Sequence, residues 1–339
     1  RVSWARRCVY ETGTWTDLLT AAFTSTTSVC VTGLVVVDTF SYWSLFGKGV
    51  ILILIQIGGL GIVSIITLFM LLFRMKITLK STMLLQDAFN LNSKQGLLKF
   101  TIKVIKGTFL IEGIGAFIYS FYYCREYGLL KGIWFSVFHA VSAFCNAGLD
   151  IMGADSLIPY HSNLLMMLNT SFLIIMGGIG FIVWWDTVEA FRRIRTKKCS
   201  IRSAWNGVHL QTKIAIFMTL LLLIGGTVVI YFLERSNPDT LGNLSEKDRI
   251  LNAFFQSVTL RTAGFAAVPQ AALRPVTAFF GALLMMIGGS PVGTAGGMKT
   301  VTIAVIFFTF AAMIRNHEDT EVFLSLIHIS EPTRLDVIS

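Results

Sequence analysis

The chain has 339 residues, of which 54% are hydrophobic and only 14% are charged. This composition favours a polytopic membrane protein over a large soluble protein with buried helices. The formal net charge of +9 does not indicate a nucleic-acid partner, because the basic residues lack the interleaved aromatic side chains of such a surface.

Apolar runs that can cross a bilayer recur along the chain. A spanning helix needs about 20 such residues, and the candidates are residues 49–73, 107–124, 162–185, 214–233 and 276–298, followed by a shorter run at 301–314. Basic residues dominate the connections 74–106 and 186–213, which are therefore expected on the cytoplasmic side. The connections 125–161 and 234–275 are expected to face outward.

One short glycine motif occurs three times, each time after a stretch too short to cross a bilayer. The stretches are residues 15–28, 133–144 and 250–260, and the motifs that follow them are Val31-Thr32-Gly33, Asn146-Ala147-Gly148 and Thr262-Ala263-Gly264. A short helix that ends in a glycine turn and precedes a full span predicts a re-entrant half-helix. Irregular backbone at that depth is tolerated beside a pore. These motifs are called the first, second and third glycine turns below.

The spacing of the turns predicts a repeated unit. Their glycines lie 115 and then 116 residues apart, and a second glycine motif follows each turn: Gly58-Gly59-Leu60-Gly61, Gly177-Gly178-Ile179-Gly180 and Gly288-Gly289. Such a period indicates one structural unit used three times around an axis. Unit one is residues 1–74, unit two is residues 75–195 with its preceding cytoplasmic loop, and unit three is residues 196–323.

Glycine suits a cation filter that uses the main chain. Gly33, Gly148 and Gly264 permit positive φ, so that successive carbonyls can face one axis and replace the water shell of an ion. The preceding residues, Thr32 and Ala147 among them, differ between copies, which favours coordination by the backbone over a side-chain metal site. Ordinary turn or helix-packing glycines are the alternative.

The turns and their flanking spans resemble the Trk and Ktr superfamily of K⁺ transporters, most closely its Ktr-type membrane subunit. The motifs that carry the resemblance are Val31-Thr32-Gly33-Leu34, Cys145-Asn146-Ala147-Gly148 and Arg261-Thr262-Ala263-Gly264-Phe265. The resemblance implies an all-α polytopic membrane protein, with helix, pore-loop, helix units around a pseudo-fourfold pore and K⁺ held by filter carbonyls. It further implies a bacterial plasma membrane, a homodimer, a cytoplasmic nucleotide-binding ring as partner, and Na⁺ as a coupling or activating ion, without a covalently bound cofactor.

Three of the family's four units are expected in this sequence. Residues 1–11 hold no first helix for unit one, and no fourth unit follows unit three. Residues 324–339 resemble translated sequencing-adapter read-through and are set aside as a non-native tail.

Unit three carries the longest interruption of a span, Gly288-Gly289-Ser290-Pro291-Val292-Gly293-Thr294-Ala295-Gly296-Gly297, called the unit-three loop below. In a helix interior, Pro costs about 3 kcal/mol and each Gly about 1 kcal/mol. The helix is therefore expected to break inside the membrane. The resemblance implies that this loop is a gate, and a kinked helix without a gating role is the alternative.

Four single charged side chains are candidates for a role beside the turns. Glu112 lies within a span, where a lone carboxylate is costly unless it is paired or faces water. It is predicted to support the second turn, and the alternative is that it caps a neighbouring helix. Arg261 is predicted to brace the third half-helix or tune cation access. Asp38 and Asp150 follow their turns and can concentrate cations at the outer mouth, although solvated loop acids are commoner.

No metalloprotease, P-loop or nucleophile-elbow motif occurs, so an enzyme is not expected. Two transport mechanisms remain. The first is a K⁺ pore with a carbonyl filter, gated by the unit-three loop. The second is a cation-coupled transporter with alternating access, whose broken helices bind a substrate at the midplane. The three turns lie on one side and their flanking spans run in the same direction, which favours the pore.

Overall fold

The computed structural model describes residues 16–61, 94–153, 155–197, 200–314, 320–322 and 325–327. Within these ranges the chain is helical, apart from an antiparallel pair of short strands, β1 (Thr320–Val322) and β2 (Ser325–Ile327). Strand β2 falls in the stretch that the sequence set aside as a tail; most of that stretch lies outside the described residues.

Unit one contributes helices α1 (Leu18–Cys30), α2 (Thr39–Tyr42) and α3 (Leu45–Leu60). Asp38 begins α2 by accepting hydrogen bonds from two backbone N–H groups of its first turn, a typical N-cap. Helix α1 corresponds to the predicted half-helix 15–28, but it begins and ends closer to the first glycine turn than predicted. Helix α3 begins the predicted span 49–73, and the remainder of that span lies outside the described residues.

Unit two contains α4 (Lys94–Tyr127), α5 (Leu129–Phe144), α6 (Leu164–Gly178) and α7 (Phe181–Lys197). The run 162–185 reads as one span by composition, but α6 and α7 meet at a bend of 98°. The bend falls at the second glycine motif, where Gly180 has a φ of 95°. The candidate span 162–185 is therefore bent at its glycine motif, called the glycine kink below.

Unit three contains α8 (Ile201–Asn206), α9 (Leu210–Glu234), α10 (Glu246–Thr259), α11 (Pro275–Met286) and α12 (Thr300–Ile314). Pro275 opens α11, where its missing N–H is harmless. The unit-three loop separates α11 from α12, so the break predicted for this span is present.

Two helices among the described residues are long and apolar enough to cross a membrane, Phe100–Tyr127 and Leu210–Glu234, or three if the bent pair counts as one span. Both expose large apolar side chains, including Phe117 and Phe121 in α4 and Leu220 and Phe232 in α9. Helices that are apolar on their outer faces are typical of proteins surrounded by lipid.

The half-helices α5 and α10 form the interior. Helix α5 packs against α3, α4 and α6, and α10 packs against α6 and α9. Phe138, Phe144 and Phe255 on these helices are fully buried. This packing places the turns that follow α5 and α10 inside the protein, while α4 and α9 face outward.

Candidate functional site

All three glycine turns adopt the same unusual backbone, with left-handed residues at the first and third positions. The positive φ angles are 53° and 72° in Val31 and Gly33, 56° and 63° in Asn146 and Gly148, and 67° and 85° in Thr262 and Gly264. Left-handed backbone costs an L-residue roughly 1–2 kcal/mol. Strain of this kind persists only where the surrounding structure fixes it, and it clusters at functional segments.

A hydroxyl group near the end of each half-helix holds the turn that follows. Thr27 accepts a hydrogen bond (3.1 Å) from the backbone N–H of the residue after the first turn's glycine. Ser142 and Thr259 instead donate to the carbonyl of the residue after theirs. These three residues were not among those predicted from the sequence. The signal that could have found them is a Ser or Thr five or six positions before each glycine.

The three turns pack directly against one another. A methyl group on Gly33 would lie 2.8 Å from the carbonyl oxygen of Ala147, and one on Gly148 would lie 2.6 Å from the carbonyl oxygen of Ala263. A methyl group on Gly264 would lie 3.0 Å from the Cα of Gly148. The structure thus brings together turns from three distant parts of the chain, at distances that leave no room for a side chain.

The carbonyl oxygens of Ala147 and Ala263 are buried without a hydrogen-bond donor. The two residues are 0% and 1% exposed, and no described residue donates to either oxygen. Buried carbonyls without a partner are uncommon, because the lost hydrogen bond costs free energy. Oxygens held in this way are suited to coordinate a cation that has shed its water.

The glycines of all three turns border one outer cavity of ≈ 340 Å³, which Asp38 and Asp150 also line. Burial raises the pKa of Asp150 to about 6, and the Asp38 carboxylate adds to the rise. Two carboxylates at the mouth of such a cavity make its potential negative and raise the local cation concentration.

The unit-three loop is not helical, and it folds back on itself. Ile287 pairs with Met298, and the N–H of Gly289 donates to the carbonyl of Gly296 at 3.2 Å. A methyl group on Gly288 would overlap that same carbonyl. The chain therefore leaves α11 and reaches α12 through a compact loop in which glycine is required. Its role as a gate stays a prediction.

The glycine kink Gly177–Gly180 of unit two receives this loop. The N–H of Ser290 donates to the carbonyl of Gly178 at 2.8 Å, and the N–H of Phe181 donates to the carbonyl of Val292 at 2.9 Å. The backbone groups that the bend frees from α6 and α7 are thus satisfied by the unit-three loop.

Glu112 and Arg261 are both buried, at 4% and 6% exposure. The thiol of Cys145, which directly precedes the second turn, points at Oε1 of Glu112 from 3.9 Å. Arg261 donates from Nη2 to the carbonyl of Gly288 at 3.3 Å. Glu112 therefore lies behind the second turn, and Arg261 joins the end of α10 to the unit-three loop. Their supporting roles stay predictions.

Apolar outer helices, short interior helices that end in glycine turns, and buried carbonyls to which no described residue donates are together typical of a membrane transport protein. The chain belongs to the TrkH family of cation transport proteins, whose family model matches residues 6–331. This membership confirms the predicted Trk and Ktr relationship, and it places the chain in a family of transporters and not of enzymes.

Individual relatives match most of the chain. Potassium/sodium uptake protein NtpJ of Enterococcus hirae is 38% identical over 92% of this chain and 66% of its own length. Ktr system potassium uptake protein B of Bacillus subtilis is 38% identical over 91% of this chain and 66% of its own length. The sequence thus spans 66% of the length of each of these two relatives.

The crystal structure of the potassium transporter TrkH from Vibrio parahaemolyticus has the same fold. It matches with a TM-score of 0.60 at 18% identity, over 89% of this chain and 56% of that chain. The overall fold described above is therefore shared with a solved member of the family.

Proposed function

We propose that this chain forms most of the ion pathway of a K⁺ uptake protein, in which backbone carbonyls of the three glycine turns select the ion. The observation that carries the proposal is the pair of buried, unpaired carbonyl oxygens at Ala147 and Ala263, each turned toward a neighbouring turn. Rings of such oxygens can replace the water around K⁺. Two relatives described as potassium uptake proteins support K⁺ as the ion, and the potassium/sodium description of one supports a second role for Na⁺.

The unit-three loop is the gate in this proposal. Three backbone hydrogen bonds seat the loop on the glycine kink, from Ser290 to Gly178, from Thr294 to Gly177 and from Phe181 to Val292. Each contributes a net of about 0.5–1.5 kcal/mol, so release of the loop requires a pull on α12 that supplies at least the sum of the bonds that break. A cytoplasmic partner would supply that pull.

Alternating access is the weaker mechanism for this chain. It requires parts of the protein to rock around a substrate site at the midplane. The second and third turns approach so closely that a methyl group on Gly148 would lie 2.8 Å from the Cα of Gly264. Rocking of one unit against another would have to separate these turns, whereas a pore keeps them together.

The proposed assembly is a homodimer in a bacterial plasma membrane that docks on a cytoplasmic nucleotide-binding ring. The description of the Bacillus subtilis relative as part of a Ktr system supports a complex with several components. The basic connections 74–106 and 186–213 offer such a partner a surface beside the lipid headgroups.

The substitution Gly264→Ser in the full-length protein tests the filter. Gly264 has a φ of 85°, and a side chain there costs roughly 1–2 kcal/mol, so the K⁺/Na⁺ preference should fall about tenfold. The measurement is Rb⁺ uptake, with Na⁺ as competitor, in cells that lack their own K⁺ uptake. Gly225→Ser in α9 is the matched control, because a methyl group there meets nothing within 4 Å. An unchanged K⁺ affinity and preference in Gly264→Ser would count against the filter.

A further inference from the structure

Two of the three glycine turns are tied to the unit-three loop through the side chains of their left-handed residues. The Nδ2 of Asn146 donates to the hydroxyl of Thr294 at 2.9 Å. The hydroxyl of Thr262 accepts a hydrogen bond from the N–H of Gly296 at 3.0 Å. The loop is thus hydrogen-bonded to the first residue of the second turn and to the first residue of the third turn.

The hydroxyl of Thr294 has a second partner, the carbonyl of Phe144 at the end of α5, to which it donates at 3.0 Å. A hydroxyl has one proton to give, so Thr294 gives it to Phe144 and accepts from Asn146. One side chain of the loop therefore fixes both the last turn of the half-helix and the beginning of the glycine turn that follows.

These hydrogen bonds act where the backbone needs support. Asn146 and Thr262 have φ angles of 56° and 67°, a conformation that an L-residue adopts at a cost. A side-chain hydrogen bond that exists only in this geometry offsets the cost. Without the loop, both residues lose that support and the turns are free to relax.

The first turn provides an internal contrast. Its left-handed residue is Val31, which has no polar side chain, and a methyl group on Gly58 of the same unit would lie 2.8 Å from its Cγ2. Val31 is therefore held by packing within unit one. The side-chain link to the loop is confined to the second and third turns.

We propose that Thr294 and Thr262 tie the filter to the unit-three loop, so that the loop segment from Thr294 to Gly296 sets the ion discrimination of the second and third turns. This segment keeps its hydrogen bonds to both turns while the Ser290 end of the loop moves aside, so ions that pass the open gate still meet turns in the geometry that binds K⁺. The coupling is reciprocal, so K⁺ in the filter also strengthens the hold on this segment. The inference rests on the proposed function, because it requires the turns to be the filter and the loop to be the gate.

The first test is Thr294→Val in the full-length protein, which keeps the branched shape and removes the hydroxyl. Of the two hydrogen bonds that Thr294→Val removes, the one from Asn146 holds the second turn, and its loss should lower the K⁺/Na⁺ preference of Rb⁺ uptake about tenfold. Thr294→Ser keeps the hydroxyl and should restore the preference. The matched control is Thr300→Val, because the Thr300 hydroxyl is also fully buried but pairs with Ser290 (2.9 Å), away from the turns. It should change the flux and leave the preference intact.

The second test, Thr262→Val, removes the acceptor for Gly296 at the other end of the contact and decides the question if Thr294→Val does not reach the membrane. An unchanged preference in either folded variant, beside a lowered preference in Gly264→Ser, overturns the coupling and leaves the filter in place. An unchanged preference in Gly264→Ser as well overturns both proposals. An equal loss of preference in Thr300→Val shows that any damage to the loop suffices, and it also overturns the specific role of Thr294 and Thr262.

Discussion

The glycine motifs of units two and three look alike in the sequence and differ in the structure. In unit two, Gly177–Gly180 produces a bend of 98° between α6 and α7. In unit three, the motif opens into a loop that extends from the end of α11 at Met286 to the start of α12 at Thr300. The loop packs on the bend. One copy of the motif therefore forms the unit-three loop, and the other copy, in unit two, forms the surface that binds this loop, called its seat below.

Unit one carries the same motif at the end of α3. Among the described residues, nothing lies within 4 Å of a methyl group placed on Gly61. A methyl group on Gly180 would lie 2.5 Å from the carbonyl of Pro291 in the loop. The last glycine of the motif is therefore needed for close packing in unit two, whereas Gly61 is needed for its φ of 77°. Gly58 and Gly59 of unit one are closely packed, because methyl groups there would overlap the carbonyl oxygen of Val29 and the Sγ of Cys145.

Among the changes that disrupt the contact between loop and seat, removal of the loop should have the largest effect on transport. Deletion of several residues within 288–297 in the full-length protein should raise K⁺ flux severalfold and weaken control by the cytoplasmic partner, because the obstruction is gone. Rb⁺ uptake with and without that partner measures both effects. A deletion that inserts normally yet leaves flux and regulation unaltered would show that the break is structural only.

A methyl group added to a glycine of the seat should have a smaller effect, and it should lower the stability of the fold. A methyl group on Gly177 would overlap the carbonyl of Phe144, and overpacking of this kind typically costs 1–3 kcal/mol, so Gly177→Ala should lower the free energy of unfolding by about that amount. Gly293→Ala should behave in the same way from the loop side, because a methyl group there would lie 2.9 Å from the carbonyl oxygen of Gly177. Thermal unfolding in detergent measures the loss, with Gly225→Ala in the open surroundings of α9 as the control. Equal stability of Gly177→Ala and Gly225→Ala would contradict the close fit.

Changes in the charge of the outer cavity should have the smallest effect, because they should alter ion binding and leave the gate unchanged. The raised pKa of Asp150, about 6, means that the carboxylate is mostly ionised at neutral pH and gains a proton as the external pH falls through that value. The apparent K⁺ affinity should therefore weaken a fewfold below that pH and stay constant above it. Asp150→Asn should show the weaker affinity at every pH. A pH profile that is the same in both proteins would remove Asp150 from the ion pathway.

The sequence could predict the turns because their requirements are local. A short helix, a glycine that must take positive φ and a following span are all visible within one unit, and the period repeats them. Half-helix boundaries were less accurate: α10 begins at Glu246 and not at 250, because Ser245 caps it by accepting the N–H of Asp248. The first four residues of α10 are charged, so the apolar pattern from which the half-helix was predicted begins only after them.

Contacts between units could not be predicted in the same way. Thr294 and Asn146 lie 148 positions apart, and their hydrogen bond depends on how the loop settles on the bend of unit two. The glycine motif was visible in the sequence, but neither the bend of 98° nor the loop that packs against it could be read from the motif alone. Arg261 was expected to serve the half-helix or the ion, and its partner proved to be a carbonyl of the loop.

The position of a bound K⁺ analogue tests the filter most directly. Crystals of the full-length protein grown with Tl⁺ would reveal the ion by its anomalous scattering. We expect density between the glycine turns, within coordination distance of the carbonyl oxygens of Ala147 and Ala263. Tl⁺ found only in the outer cavity near Asp38 and Asp150, or only beside the unit-three loop, would contradict a filter built from the three turns.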